Sequence, residues 1–419
     1  MGIFRKELGY AFIIMIGSLT YGDVSVYTSP TSNDIRTKHH LSDTSAEWTF
    51  YCSIPFLFGI VGSLITKYIL LGFKGRRKLT VFVVDIIGTA AWLLNCLTKV
   101  HIAAGIVSRA LCGVAMGAYM TINPMYLVEI APEGFSGVFG AINQFGVCIG
   151  NILFSILGVY LDYMELNYVG AAICALQGFL IWICPESPES KNGTVDEVPL
   201  LSVFKPQYAK GLFIGITTMF MVQFSGINGI LANLNSIMDE AGLNMDPGFQ
   251  STIAVASQFV AIFVNFFTVE LLGRKVVWML SSAICGIGLL LLALNDQFEW
   301  SNTLPVISIF LFYFGFGYGI GSISWFIVSE YFETDTRAAA NSVCVICNWI
   351  FAFILVMVFP SMKKSMGMFG SSIFFFVVCM LSIIFGLYAI PEPVREGESD
   401  QFSAKEEDES AEKSEKSEI

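Results

Sequence analysis

The sequence predicts an all-α membrane protein with twelve transmembrane helices arranged as two six-helix halves. The 419 residues are 55% hydrophobic and only 14% charged, whereas about a quarter of the residues in soluble domains are charged. Twelve apolar runs each approach or exceed the roughly 20 helical residues that cross a bilayer. Short motifs at the ends of the apolar runs in the first half of the chain recur in the same order in the second half.

The apolar runs are interrupted by Gly, Ser, Asn and Gln, which is typical of helices that pack against one another within a membrane bundle. The predicted transmembrane segments are residues 9–28, 47–71, 79–98, 101–127, 137–160, 166–184, 210–238, 250–271, 276–295, 303–329, 338–360 and 369–390. This composition excludes a disordered, disulfide-stabilised or nucleic-acid-binding protein, and it predicts the lipid bilayer as the main surrounding of the chain.

Three pairs of corresponding motifs, one member in each half of the chain, indicate an internal duplication. They are Gly75-Arg76-Arg77 with Gly273-Arg274-Lys275, Glu129 with Glu330, and Pro185-Glu186 with Pro391-Glu392. Parallel repeats of this kind are a transporter architecture, with the substrate site near mid-membrane between the halves. The predicted divisions are an N-terminal segment 1–8, a first half 9–184, a linker 185–209, a second half 210–391 and a tail 392–419.

The distribution of Lys and Arg predicts that both termini are cytoplasmic. With the N-terminus inside, the inner segments before the tail hold twelve of these residues and the outer segments five, which follows the positive-inside rule. We expect the plasma membrane rather than an internal one. The tail holds 11 acidic and 4 basic residues, so we expect it to be disordered, either as a solubilising end or as a regulatory segment.

Nothing in the sequence predicts an enzyme, a cofactor or a metal site. The chain has three His, and it lacks a nucleophile–base or metal-ligand spacing. The ten cysteines lie mostly inside apolar runs, and the pair Cys344 and Cys347 has no second pair beside it. We interpret them as packing residues.

Several motifs resemble the sugar porter family of the major facilitator superfamily. They are Pro124-Met125-Tyr126-Leu127-Val128-Glu129-Ile130-Ala131-Pro132, Pro185-Glu186-Ser187-Pro188, Gln223-Phe224-Ser225-Gly226-Ile227-Asn228, Trp325 to Glu330, Arg337-Ala338-Ala339-Ala340 and Asn348-Trp349. The resemblance spans about residues 10 to 395. It implies the major facilitator fold and the transport of monosaccharides or polyols, either by facilitated diffusion or by proton symport. We expect a monomer to be the functional unit.

A sugar presents hydroxyl groups, and amide side chains offer a donor and an acceptor together, while aromatic faces pack against apolar ligand surfaces. The candidate substrate-binding residues are therefore Gln144, Gln223, Asn228, Gln258, Trp325, Asn348 and Trp349. The resemblance implies sugar contact at Gln144, Gln223, Asn228, Trp325 and Trp349, and Gln258 falls where the family usually has a ligand Asn. The alternative is that each amide only makes a hydrogen bond between helices.

Two charged residues lie deep in predicted helices, Asp23 in the first and Arg109 in the fourth. An unpaired ion there costs several kcal/mol, so we expect a partner for each. The resemblance implies that they pair and that Asp23 carries a proton in a symporter, whereas in a uniporter the pair is structural. Lys67 and Asp85 are predicted to form a second, structural ion pair.

Charged residues at the inner ends of the helices form a candidate cytosolic gate that closes and opens the inner mouth. They are Arg76, Arg77, Glu129, Glu186, Glu270, Arg274, Glu330 and Arg337. The glycines at 226 and 229 predict either a broken helix that faces a cavity or close helix packing. Three functions stay open at this point: a proton-coupled hexose carrier, a facilitative uniporter for hexose or polyol, and a sugar sensor of the same fold that does not transport.

Overall fold

The apolar runs fold as α-helices in a computed structural model, which describes residues 2–132, 135–191, 203–332 and 334–390. The helices are α1 Gly2–Val26, α2 Thr28–His39, α3 Ala46–Gly72, α4 Arg77–Asn95, α5 Ile102–Glu129, α6 Ser136–Tyr160, α7 Tyr163–Leu180, α8 Ala209–Phe224, α9 Ile227–Ala232, α10 Leu234–Glu240, α11 Pro247–Leu272, α12 Arg274–Phe298, α13 Leu304–Tyr318, α14 Ile320–Glu330 and α15 Thr334–Ala389. Residues 192–202 of the predicted linker and the whole predicted tail lie outside the described residues.

Eleven helical segments within the described residues are long and apolar enough to cross a membrane. The last of them, Ala339–Ala389, has 51 residues and would be about 75 Å long at 1.5 Å per residue, more than twice the thickness of a bilayer core. Gly367 interrupts α15 with a φ of 72° and a ψ of 178°. This helix therefore supplies two crossings, and the prediction of twelve is confirmed.

The helices form two groups. Within the first, α3 and α4 pack on α5, and α1 packs on α6; within the second, α12 packs on α13 and α15, and α8 packs on α15. The groups meet where α3 contacts α15 and where α6 contacts α11. We call the end of the bundle near Gly75, Ile130, Cys184 and Gly273 the terminal side, because α1 begins and α15 ends there. The other end is the opposite side.

Glycines bring α3 and α5 into backbone contact. A Cβ atom on Gly117 would lie 2.0 Å from the carbonyl oxygen of Gly59, and one on Gly113 would lie 2.2 Å from that of Pro55. Small residues at helix interfaces allow this close approach in membranes, where association depends on packing. The first half is therefore a tightly packed unit around α5.

Two features were not predicted. The polar α2 is a separate helix on the opposite side, and the segment 303–329 is divided at Gly319 into α13 and α14. Of the two alternatives for the glycines at 226 and 229, the broken helix is found at Gly226, which has a φ of 104° and separates α8 from α9. Gly229 instead packs against Phe359, and a Cβ built on this glycine would lie 3.2 Å from the Phe359 ring. Gly226 therefore breaks the helix, and Gly229 allows close packing.

Replacing Gly117 with Val is expected to destabilise the fold, because the added side chain meets the α3 backbone. Overpacking of this kind typically costs about 1–3 kcal/mol. Gly9→Val is the matched control, since a Cβ there meets nothing within 4 Å. Thermal unfolding of the purified proteins in detergent measures the difference, and equal melting temperatures would contradict the packing described for α3 and α5.

Candidate substrate cavity

A cavity of about 960 Å³ lies between the two halves. Its wall combines residues of α3, α5 and α6 with residues of α11, α14 and α15. It reaches the terminal side, where Val128, Gly273 and Arg274 line it. Deeper in the bundle it is lined by Gln144, Trp325 and Trp349.

A smaller cavity of about 60 Å³ adjoins the large one, because Gln144 and Trp325 line both. Its wall also contains Gln223, Asn228, Gln258 and Asn348. Six of the seven predicted substrate-binding residues therefore line this space, and the seventh, Trp349, lines the large cavity. The structure brings all seven to one region between the halves.

A chain of amide hydrogen bonds crosses this wall. Asn228 donates to Gln223 Oε1 over 2.7 Å, and Gln223 donates from Nε2 to Asn348 Oδ1 over 2.8 Å. In a regular helix, residues five positions apart are separated by about 140° around the axis. The break at Gly226 allows Asn228 to turn back towards Gln223. The irregular backbone thus creates the amide cluster and joins α8, α9 and α15.

The break between α13 and α14 also faces the cavity region. The Ser281 hydroxyl donates to Gly315 O over 2.6 Å and accepts from Ile320 N over 2.8 Å. Asn265 donates to Tyr318 O. Side chains therefore satisfy backbone groups that the interrupted helix releases, as membrane depth requires. This break places Trp325 on α14, beside the two cavities.

Aromatic rings close the apolar part of the wall. The Trp349 ring lies 5.8 Å from that of Tyr21 and 6.3 Å from that of Phe56, measured between centroids. Trp349 is buried, and its Nε1 has no hydrogen-bond partner. A buried indole N–H usually has a partner, so this donor is available to a hydroxyl ligand. Gln258 is also buried, while Gln144 and Trp325 are half-buried.

Sequence reasoning missed three polar residues of the small cavity, and one of them is Tyr21. The other two, Asn151 and Tyr313, are both buried, and the Asn151 Oδ1 and Tyr313 hydroxyl have no hydrogen-bond partner. Asn151 follows Gln144 by seven residues on α6, or two helical turns, and this spacing was a usable signal. Nothing in the sequence around Tyr313 indicated which way its ring faces.

The halves are in direct contact on the opposite side. Ser29 on α2 donates to Asn235 Oδ1 over 3.1 Å and accepts from Asn235 N over 2.9 Å. Lys364 donates to Thr44 over 3.3 Å. The rings of Tyr160 and Phe249 meet edge to face at 5.9 Å. The cavity therefore reaches one side of the bundle, and contacts between the halves cover it on the other.

Asp23 and Arg109 are both buried, but this structure does not join them. Both Asp23 carboxylate oxygens have no hydrogen-bond partner. Arg109 donates to Val24 O over 3.0 Å, and its guanidinium lies 5.3 Å from the Tyr27 ring and 5.6 Å from the Tyr51 ring. Cation–π contact and the backbone carbonyl thus hold the arginine. The direct pair expected from the sequence is absent in this conformation.

The predicted gate residues of the first half form a cluster at the terminal side. Arg77 makes a bidentate ion pair with Glu129, donating from Nε to Oε2 over 2.9 Å and from Nη2 to Oε1 over 2.7 Å. The Glu186 carboxylate accepts from Arg77 N over 2.7 Å, which satisfies a free N–H at the start of α4. Arg76 is exposed. These contacts lie within one half, so in this state they do not bridge the mouth.

The gate residues of the second half are less fully described. Arg274 lines the mouth of the large cavity, next to Gly273, whose φ is 80°. The side chains of Glu270, Glu330 and Arg337 lie outside the described part of the structure. Their role at the mouth therefore stays a prediction.

Two bundles of membrane-crossing helices with a cavity between them, lined in part by amide side chains, define a multi-pass membrane transporter of the major facilitator fold. The chain belongs to the family described as sugar (and other) transporters, whose model matches residues 9–193 and 189–397. Its members are carriers rather than enzymes.

Named relatives are similar over most of their length. The chain is 26% identical to sugar transporter ERD6-like 7 of Arabidopsis thaliana, covering 91% of this chain and 90% of the relative. It is 27% identical to facilitated trehalose transporter Tret1 of Culex quinquefasciatus, covering 91% and 82%. It is 28% identical to facilitated glucose transporter member 3 of solute carrier family 2 from Mus musculus, covering 83% and 80%.

Solved structures share the fold. The partially occluded inward-open conformation of the xylose transporter XylE from E. coli has a TM-score of 0.79 at 18% identity, covering 93% of this chain and 99% of that one. The crystal structure of a D-xylose–proton symporter has a TM-score of 0.80 at 18% identity, covering 93% and 98%. Such identities support the architecture alone.

Replacing Gln223 with Leu is expected to weaken sugar binding about tenfold or more. The substitution removes the centre of the amide chain and both hydrogen bonds that Gln223 makes, to Asn228 and to Asn348, and an unmet buried polar group costs about 1–3 kcal/mol. Calorimetric titration of the purified protein with a hexose measures the change. Gln250→Leu is the control, because Gln250 is equally buried but bonds to Met245 O, away from the cavities. Equal losses in the two variants would contradict a specific role for Gln223.

Proposed function

We propose that the protein carries a neutral sugar, a hexose in the first instance, across the membrane by alternating access. The amide chain of Asn228, Gln223 and Asn348 beside the cavity supports this proposal most directly. Its groups are uncharged and can donate and accept, as sugar hydroxyls require. The unpartnered polar atoms of Asn151, Tyr313 and Trp349 add further sites for hydroxyl groups.

The proposed substrate site combines polar and aromatic walls. Gln144, Gln258, Trp325 and Trp349 complete the set of side chains around the sugar. Trp325 and Trp349 provide flat apolar surfaces against the C–H faces of the ring. The names of several relatives, which denote facilitated transport of glucose and trehalose, are consistent with a sugar as substrate.

Proton coupling is the second part of the proposal. A buried, ionised carboxylate without a hydrogen bond or counter-charge costs several kcal/mol, so Asp23 is neutral in the present conformation. When the halves rearrange, the Arg109 guanidinium moves from Val24 O and the two tyrosine rings to Asp23, and the ion pair expels the proton. A facilitative uniporter for hexose or polyol is the alternative, in which Asp23 never exchanges its proton.

The orientation in the membrane follows the charge asymmetry of the connections. We place the terminal side, with both termini, in the cytoplasm of a cell whose plasma membrane holds the protein. The present structure then corresponds to the state that faces inward. In the outward-facing state, the terminal side closes, and the cluster of Arg77, Glu129 and Glu186 comes to the Arg274 region of the second half.

Uptake of labelled hexose into proteoliposomes containing the full chain tests the function. We expect saturable exchange, and uphill accumulation under an inward proton gradient that a protonophore abolishes. Asp23→Asn is expected to keep exchange but to lose accumulation, because an amide binds no proton. Asp246→Asn is the control, since Asp246 is exposed and only caps α11. Undiminished accumulation in Asp23→Asn would refute the coupling, and a lack of exchange in the wild type would refute the carrier.

Alternating access has its own test on the opposite side. Cysteines introduced together at Ser29 and Asn235, whose side-chain oxygens lie 3.1 Å apart, are expected to form a disulfide under mild oxidation. The cross-link holds the opposite side closed, so transport is expected to fall more than tenfold and to recover on reduction. Each single substitution is a control for the native cysteines. Full activity of the cross-linked protein would exclude a rearrangement that separates α2 from α10.

A further inference from the structure

A second buried acid lies in the first half, outside both cavities. Asp85 on α4 is only 2% exposed. Its Oδ1 accepts a hydrogen bond from the Tyr119 hydroxyl over 2.6 Å, while its Oδ2 has no partner. Eight residues separate it from Arg77, where α4 begins, which places it about 12 Å from the terminal-side end of that helix.

The predicted ion pair of Asp85 with Lys67 is wrong. Lys67 is exposed on α3, because that face of α3 points away from the bundle. Asp85 instead faces α5 and α7, between Tyr119 and Gly178, and a Cβ on Gly178 would lie 3.3 Å from that of Asp85. Hydropathy placed both residues in helices but did not fix the rotation of either helix.

The titratable groups around Asp85 are neutral or acidic. Tyr119 faces it from α5 and Cys174 from α7, and Asp23 on α1 lies beyond Cys174. Within the described residues, Asp85 makes no ion pair. A carboxylate with one hydrogen bond and no cation is costly at this depth, whereas the protonated acid carries no charge. The geometry therefore favours a bound proton.

A line of polar side chains connects this acid to the region of Asp23. The Thr20 hydroxyl lies 3.5 Å from Cys174 Sγ. A Cβ on Gly88 would lie 2.9 Å from Cys174 Sγ and 3.5 Å from the Tyr119 hydroxyl, so these two groups both pack closely against that glycine. Thr20 precedes Asp23 by three residues on α1, and it therefore lies one helical turn from it.

We propose that Asp85 is a second proton-binding site of this carrier, separate from Asp23, and that it holds its proton while the cavity reaches the terminal side. The proposal that Asp85 is protonated does not depend on sugar transport. Only a role of Asp85 in proton coupling rests on the proposed function. Of the two acids, Asp85 lies nearer the terminal side, whereas Asp23 lies near the end of α1 that faces the opposite side.

Infrared spectroscopy of the full-length protein in lipid tests this directly, because protonated and ionised carboxyl groups absorb separately. We expect Asp85→Asn and Asp23→Asn each to remove a comparable part of the protonated band near neutral pH, and the double variant to remove both parts. Asp162→Asn is the control: Asp162 is exposed and caps α7, and Asn is an equally good cap. An unchanged band in folded Asp85→Asn would overturn the proposal.

A second variant keeps the test decisive if Asp85→Asn does not fold. Tyr119→Phe removes the hydrogen bond to Oδ1 and is expected to shift the Asp85 part of the protonated band without removing it. A spectrum identical to the wild type would overturn the proposal, since an ionised Asp85 contributes nothing to that band. Sugar exchange measured on the same samples separates the two claims: a wild type without exchange refutes the carrier but leaves the infrared comparison intact.

Discussion

The absence of water from the bilayer core is the constraint on which the structure depends. Every backbone polar group at that depth needs a partner inside the protein, which explains why apolar runs become helices. The two breaks at Gly226 and Gly319 occur beside the cavities, where side chains such as Ser281 satisfy the released groups. The first break also turns Asn228 back towards Gln223. The polar site thus arises where the helices are interrupted.

The buried ionisable side chains and the amide chain beside the cavity lie in different halves. The buried ionisable Asp, Glu, Lys and Arg side chains of the described residues, Asp23, Arg77, Asp85 and Arg109, all belong to the first half. The amide chain around Gln223 belongs to the second. In the proposed carrier, ion chemistry and most of the sugar recognition therefore lie on different sides of the central cavity. The contact of Trp349 with Tyr21 and Phe56 is one place where the two meet.

The sequence was sufficient for the helices and for the general position of the site. Apolar length predicts crossings, and the positions of Gln223, Asn228 and Asn348 follow from motifs. The polar α2 was missed because it has no apolar run. The break at Gly319 was missed as well. The misses at Lys67 and Tyr313 concern rotation about helix axes, which hydropathy does not determine: Lys67 faces outward, and Tyr313 faces the cavity. Arg109 has two aromatic rings and a carbonyl within reach, and no sequence pattern indicates which partner it takes in a given conformation.

The interruption at Gly367 has a mechanical consequence. A single residue joins the two crossings of α15, and the second begins at once, with Phe369 N bonded to Asp296 Oδ2 on α12 over 2.8 Å. Such a short connection leaves the two crossings little freedom to move independently of each other. In the proposed carrier, a tilt of the crossing that carries Asn348 and Trp349 would therefore be transmitted directly to its neighbour and to α12.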